Sequence, residues 1–516
     1  MKTVFVLFDS LNLRSLECYG GSSVLTPNFR RLAERSVTFD NHYVGSLPCM
    51  PARRDMHTGR LSFLHRSWGP LEPFDNSFAE ILHRAGVYSH LVSDHYHYWE
   101  DGGATYHNRY DTFEFVRGQE RDPWIAMVEP PWQRFRERYH RVQFSDKRRH
   151  KFAQYMINRE FIRDYVDFPS VRCFDGGLDF LDRNRGAANW LLHIETFDPH
   201  EPFFAPDRFR ADYPTHYRGP ILDWPPYTRV TEAPEECEEL RANYCATVAL
   251  CDHELGRLLD DFDRHNMWAD TALIVTTDHG FLLGEHDWWA KIMMPCYNEV
   301  AHIPLFVHHP AFAHLAGDRC NALTQTTDIA PTLLDLHGVP APAESQGHSL
   351  LRTMAGEAPL RDAVLYGVFG SAVNITDGRY TYFRYPANLL GDDLYQYTLM
   401  PMHMKEMFSP AELADATLHP PMPFTKGVPL LRVPSTPKSP MYFAHGPGGQ
   451  HDTKTVLYDI ASDPAQLAPL HDAAVEARLL AAMARLVREN DAPEEVFTRL
   501  GLQRAKDEGK ARATAL

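Results

Sequence analysis

Val4-Phe5-Val6-Leu7-Phe8-Asp9 opens the chain, and Leu273-Ile274-Val275-Thr276-Thr277-Asp278-His279-Gly280 repeats the pattern far downstream. Each is a short apolar run closed by a carboxylate. Similar runs at Ser89 to Ser93, Trp190 to Ile194 and Leu305 to His308 are separated by helical patterns. That alternation predicts an α/β fold with a mainly parallel sheet.

The helices between these runs have readable ends. Thr26 before Pro27 reads as an N-cap and first helical position, with Phe29, Leu32 and Ala33 on one face. Ser77 with Glu80 forms a capping-box pattern, and Gly86 suits a left-handed helix end. The longest helix is expected from about Glu235 to Asp263, with Leu240, Tyr244, Val248, Cys251, Leu255, Leu258 and Phe262 at spacings of three and four. Cys251 reads as core.

Composition narrows the class. The 516 residues are 44% hydrophobic and 23% charged, as expected of a folded globular protein rather than a disordered, collagenous or coiled-coil one. The net charge of -16 argues against a broad nucleic-acid or anionic-membrane surface. An anionic small substrate stays compatible, because a metal and a few cations can reverse the sign inside one pocket. No stretch approaches the ~20 apolar residues of a membrane span. The apolar run Val4 to Phe8 is shorter than a secretory core of ~7 to 15 residues and reads as a first strand. Eight cysteines at no metal-like or framework spacing fit a reducing compartment, so a cytoplasmic location is expected.

Residues 1–360 read as the main domain and 361–516 as a smaller C-terminal domain. Eleven prolines fall between Pro386 and Pro447, with Met400, Met402, Met404 and Met407 nearby. This stretch, 386–447, is expected to be an irregular extension that helps form a homo-oligomer and borders a neighbour's site. A strand at Val456 to Ile460 and a helix at about Ala473 to Glu489 follow, then a charged, Ala-rich tail after Gly501.

Open α/β sheets carry their sites beyond the carboxyl ends of the strands, which selects Asp9, Asp278 and His279. Carboxylates suit a hard divalent ion, although an Asp after a strand also serves as a turn or cap. Cys49-Met50-Pro51-Ala52-Arg53, followed by Thr58-Gly59-Arg60, is the next cluster. By composition Cys49 is either a core thiol or a nucleophile whose pKa Arg53 and Arg54 lower.

Taken whole, that run resembles the sulfatase family, whose C-x-P-x-R cysteine is oxidised to formylglycine. Other pieces agree in order. Thr26-Pro27-Asn28-Phe29 with Leu32-Ala33, Asp278-His279-Gly280, Asp328-Ile329-Ala330-Pro331-Thr332-Leu333-Leu334, and Leu457-Tyr458-Asp459 with Asp463-Pro464 each resemble a family segment. The resemblance implies an alkaline-phosphatase-like sheet sandwiched by helices, a smaller C-terminal α/β domain, a formylglycine-generating maturation enzyme and one divalent cation, Ca²⁺ or Mn²⁺. Its ligands would be Asp9, Asp278, His279 and modified Cys49. Asp9 is followed by Ser10 where many members carry a second Asp, and His279 stands where many have Asn. In both respects the chain is similar to the choline-sulfatase and phosphonate-monoester-hydrolase branch.

By the same resemblance Arg53 holds the aldehyde hydrate and Lys291, after Trp288-Trp289-Ala290, neutralises the transferring group. His200, in Asp198-Pro199-His200-Glu201-Pro202, becomes the general acid. His95 and His97 alternate in Asp94-His95-Tyr96-His97-Tyr98-Trp99, so an extended segment would put both on one face. They read as substrate contacts or as a packed cluster, with His65 a further substrate candidate. Trp124, Trp132, Trp288 and Trp289 could line a site or a core. The expected activity is hydrolysis of a sulfate ester, of an aryl alcohol or a sugar. The alternatives are a phosphonate monoester or phosphodiester hydrolase using the same site, a two-metal phosphatase, and an inactive anion-binding homologue.

Overall fold

The computed structural model describes residues 1–145 and 149–502. All but the start of the Ala-rich tail lies outside the described residues. Eight strands form one sheet in the order Arg319–Gln325, Val37–Tyr43, Leu305–His308, Thr271–Thr277, Lys2–Phe8, Trp190–Thr196, Tyr88–Ser93 and Thr112–Phe115. Neighbours run parallel except Leu305–His308, which is antiparallel to both of its partners.

The first strand shows why its side chains from Val4 to Phe8 are all apolar. Successive residues point to opposite faces. Val4, Val6 and Phe8 enter a core shared with Leu255 and Phe262 of the Pro234–Arg264 helix and Phe174 of the Pro169–Arg183 helix. Phe5 and Leu7 enter a second core with Met50, Leu82 and Leu333, from helices Cys49–Thr58, Phe78–Arg84 and Ile329–Leu336. The sheet is therefore covered by helices on both sides. Cys251 is buried in the first core, as expected.

Two helix starts differ from expectation. Thr26 does not cap the Pro27–Ala33 helix, because its hydroxyl accepts the backbone N–H of Glu17 instead. The free N–H groups of Asn28 and Phe29 are taken by Asp252, from the long helix. Ser77 likewise makes no cap hydrogen bond, and its hydroxyl meets His57 Nδ1 at 2.9 Å. Gly86 does adopt the left-handed conformation, with φ +78°.

A second, five-stranded sheet takes the order Val456–Asp459, Tyr380–Arg384, Val373–Thr376, Val364–Val368 and Ser46–Leu47. The Ala473–Glu489 helix packs Leu479, Met483 and Val487 against it. The Pro- and Met-rich stretch is more regular than expected. Its Tyr395–Thr398, Thr417–His419 and Leu430–Pro434 strands form an antiparallel sheet, with the prolines largely between them or at their ends. No helix among the described residues is long and apolar enough to cross a membrane.

Candidate active site

Strand register places the site. Phe8 is level with Thr196 on one side and Thr277 on the other. Asp9 and Asp278 therefore leave the sheet side by side at its carboxyl edge. The helix Cys49–Thr58 brings its first residue to the same point. Ligand atoms of Asp9, Cys49, Asp278 and His279 all lie within 4.8 Å of one another, and all four residues are buried. Cys49 Sγ is 3.3 Å from His279 Nε2. His279 Nδ1 donates to the Gly280 carbonyl at 2.9 Å, so Nε2 presents its lone pair to the cluster. Two carboxylates, an imidazole and residue 49 make a donor set that fits one divalent ion.

Arg53 lies one helical turn after Cys49 and is 1% exposed. Its Nη2 is 2.9 Å from Asp9 Oδ2, its Nη1 2.6 Å from Asp278 Oδ2 and its Nε 2.5 Å from Glu195 Oε1. Burial alone would raise the Asp9 carboxyl, but Arg53, His200 and Lys291 hold it well below the usual carboxylate range. Lys291 Nζ donates to Ser10 Oγ at 3.1 Å and stands 3.5 Å from Cys49 Sγ. Ser10 Oγ in turn donates to Asp9 Oδ1 at 2.8 Å.

An activated thiol does not fit this environment. Arg54 turns away to pair with Asp75 at 2.8 Å, and Arg53 is committed to three carboxylates. Burial, reinforced by Asp9, pushes the Cys49 thiol well above its ordinary value.

A cavity of about 390 Å³ opens over Cys49, and Lys291 and His200 also line it. His200 follows the Trp190–Thr196 strand, and its Nδ1 donates to the Glu201 carbonyl, leaving Nε2 as its remaining polar atom. Burial lowers the His200 pKa against the charge of Glu201. Backbone strain collects nearby. Ser10, Glu120 and Ala290 all have left-handed φ, at 63°, 46° and 83°. Ser10 adjoins Asp9, Ala290 adjoins Lys291, and Glu120 lines the cavity. Such residues persist where the surroundings over-determine them, as at functional sites.

The histidine expectations divide. Residues Tyr96–Trp99 form a 3₁₀ turn rather than an extended segment, so His95 and His97 do not share a face. Their rings meet edge to face at 5.2 Å. His97 lines the cavity. His95 is fully buried among Tyr98 and Phe197, with neither ring nitrogen hydrogen-bonded. His65 does not reach the cavity; its ring packs against Phe424 at 4.8 Å. Of the expected tryptophans, Trp288 and Trp289 are core, while Trp124 and Trp132 flank other clusters.

Trp68 and Trp224 line the cavity in their place, with Glu120, Arg121, Tyr227, Lys405 and His445. Sequence reasoning missed all seven, and it also missed Glu195 and the tie from Ser10 to Lys291. Glu195 carried a signal, since it is a charge within a buried strand. Lys405 and His445 come from the Pro- and Met-rich stretch, which therefore borders the site of its own chain.

The sulfatase family profile matches residues 2–339, and the profile for the N-sulphoglucosamine sulphohydrolase C-terminal region matches 284–419. The chain is 25% identical over 409 residues to the N-acetylglucosamine-6-O-sulfatase of Bacteroides thetaiotaomicron, covering 69% of this chain and 71% of that protein. It is 26% identical over 368 residues to the choline-sulfatase of Rhizobium meliloti, covering 65% and 67%. A protein whose structure was solved in complex with its substrate D-glucosamine-2-N,6-O-disulfate superposes with a TM-score of 0.64 at 16% identity, over 96% of this chain and 98% of that one. The phosphonate monoester hydrolase of Agrobacterium radiobacter does so with a TM-score of 0.63 at 18% identity, over 95% of both chains. With the family profile spanning the whole eight-stranded sheet and all four clustered ligand residues, the chain belongs to the sulfatase family.

Proposed function

We propose that the chain hydrolyses the sulfate ester of a sugar or aryl alcohol, using formylglycine made from Cys49 and one divalent ion, Ca²⁺ or Mn²⁺. Asp9, Asp278, His279 and residue 49 would hold the ion. The observation that carries this reading is the convergence of those four ligand atoms within 4.8 Å, with the Lys291 ammonium 3.5 Å from Cys49 Sγ. When in place, the ion and the aldehyde hydrate supply an acidified oxygen nucleophile and polarise the ester.

The remaining work falls to the chain's own residues. Arg53 orients the two carboxylates and helps keep Asp9 ionised. Lys291 offers fixed positive charge to the transferring group. His200 passes a proton from Nε2 to the leaving oxygen, its ring held by the Glu201 carbonyl. His97, at the cavity wall, serves as a substrate contact. The sulfatase and choline-sulfatase relatives support a sulfate ester as substrate.

The proposal includes maturation by a formylglycine-generating enzyme, a catalytic domain over 1–360 with a smaller domain over 361–516, and a cytoplasmic homo-oligomer. Met407, Leu418 and Phe443, at 62%, 75% and 50% exposure, favour the 386–447 stretch as the oligomer contact.

Peptide mass spectrometry of protein made with a maturation system should find the aldehyde or its hydrate at position 49. Asp278→Ala should lose bound metal. An aryl sulfate should be turned over faster than the matching aryl phosphonate. The reverse preference would establish a phosphonate hydrolase, and full activity with a free thiol at 49 would overturn the mechanism.

A further inference from the structure

The cavity over Cys49, at about 390 Å³, is larger than a sulfate group requires, and its wall comes from distant parts of the chain. Trp68 and Trp224 line it, both largely buried. The ring of His445 stacks on Trp68 at 4.2 Å with an interplanar angle of 5°, and Lys405 Nζ lies 5.6 Å from the same ring's centroid.

Lys405 is presented by a built loop, not by a loose surface segment. Its neighbours His403 and Met404 are fully buried. His403 Nε2 meets Glu412 Oε1 at 2.8 Å, the Met404 carbonyl accepts from Gly102 N at 2.8 Å, and Arg66 Nη2 donates to the Met402 carbonyl at 2.5 Å. Phe408 N closes the loop on the Pro401 carbonyl at 3.0 Å.

Several other charges around the cavity have assigned partners, and Lys151, which also lines it, lies over the Phe152 ring at 5.5 Å. Arg121 Nη2 is 2.7 Å from Glu120 Oε1, and Tyr96 donates to Glu120 Oε2 at 2.6 Å. Glu201 accepts from Tyr227. Lys291 belongs to the Cys49 cluster. Lys405 has no carboxylate within ion-pair distance among the described residues, and the contact it does make is with an aromatic face. A half-buried ammonium beside a ligand-sized cavity, held in place by its backbone and near enough to Glu120 to feel its charge but not to pair with it, suits an anion.

We propose that Lys405 is a specificity-determining residue that pairs with a second anionic group, a carboxylate or a further sulfate, on a leaving group whose ring lies beside the stacked Trp68 and His445 rings. This rests on the sulfatase reading for the group over Cys49, but concerns the opposite end of the substrate.

The test compares 4-sulfooxybenzoate with its neutral amide, 4-sulfooxybenzamide, and with benzene-1,4-disulfate. Matured wild type should favour both dianionic esters by about tenfold in kcat/KM, mainly through KM. Lys405→Gln should abolish that preference with kcat for the amide unchanged, and Lys405→Arg should restore it. A preference for one dianion alone would identify the group as carboxylate or sulfate. A Lys405→Gln variant that slows all three esters alike, or a wild type that treats them alike, would overturn the proposal. Calorimetric titration of Cys49→Ala with the same esters reads the discrimination without turnover. If no sulfate ester is hydrolysed, the sulfatase reading fails, and the tenfold difference in binding still decides the role of Lys405.

Discussion

Arg53 Nε stands 2.5 Å from Glu195 Oε1, with both side chains buried beneath the metal-ligand candidates. Glu195 thereby sets the roll of the guanidinium, and the two remaining edges meet Asp9 and Asp278. Removing Glu195 leaves a buried cation short of a partner, a change that typically costs ~3 to 5 kcal/mol. Loss of a group that orients ligands costs about 10- to 100-fold in metal affinity. Glu195→Ala should therefore lower both the denaturant midpoint and the bound metal, with Glu195→Gln milder in each. Wild-type metal affinity in the alanine variant would show that Arg53 is positioned without it.

His200 and Lys291 should separate by leaving-group dependence. A general acid contributes ~10² to 10⁴-fold and matters most when the leaving oxygen is poor. For aryl sulfates of graded leaving-group pKa, His200→Ala should steepen the dependence of kcat/KM on that pKa. Lys291→Ala should slow the whole series evenly, because its charge acts on the transferring group. An unchanged slope for His200→Ala would make it a positioning residue.

The exposed apolar residues of the 386–447 stretch set the assembly test. Met407→Glu with Leu418→Glu should shift light-scattering mass towards smaller species while leaving the fold intact, since both side chains are exposed. An unchanged mass would remove these residues from any interface.

Two buried histidines outside the cavity lining contribute to acid sensitivity. Burial pushes His42 and His57 down to about 3. An unfolded histidine titrates near 6.5, so below that pH the unfolded chain gains protons that the folded chain refuses. Stability should be complete above pH ~6.5 and fall by ~1.4 kcal/mol per pH unit for each histidine towards pH 3. Denaturant midpoints between pH 7.5 and 5 should slope less steeply in His42→Asn/His57→Gln, whatever that variant loses at neutral pH. Parallel slopes would place the proton uptake elsewhere.

Much of the architecture was legible in local pattern. Apolar runs such as Val4 to Phe8 and Leu273 to Thr277 can only be satisfied by a sheet covered on both faces, and the helical spacing through Leu240 to Phe262 needs one long helix. The ligand candidates Asp9, Asp278 and His279 were legible for the same reason, because strand ends define where a parallel sheet can hold a site. Local pattern failed where a partner arrives from far away. Thr26 looked like a cap, yet Asp252 takes the helix N–H groups from 224 positions along the chain. His95 and His97 looked alike and both are buried, yet only His97 lines the cavity, while His95 packs among aromatic rings with neither ring nitrogen hydrogen-bonded.

What the sequence by itself determined is which candidate groups stand at the floor of the site: the Cys49-to-Arg53 run, the carboxylates at strand ends, and His200 and Lys291 in their turns. Only the tertiary structure decided what surrounds them. The pairing of Arg53 with Glu195, the link from Lys291 through Ser10 to Asp9, and the wall of Trp68, His445 and Lys405 join residues up to 377 positions apart. Strand spacing and helix period constrain near neighbours, whereas those meetings depend on how whole elements pack, which no local pattern encodes.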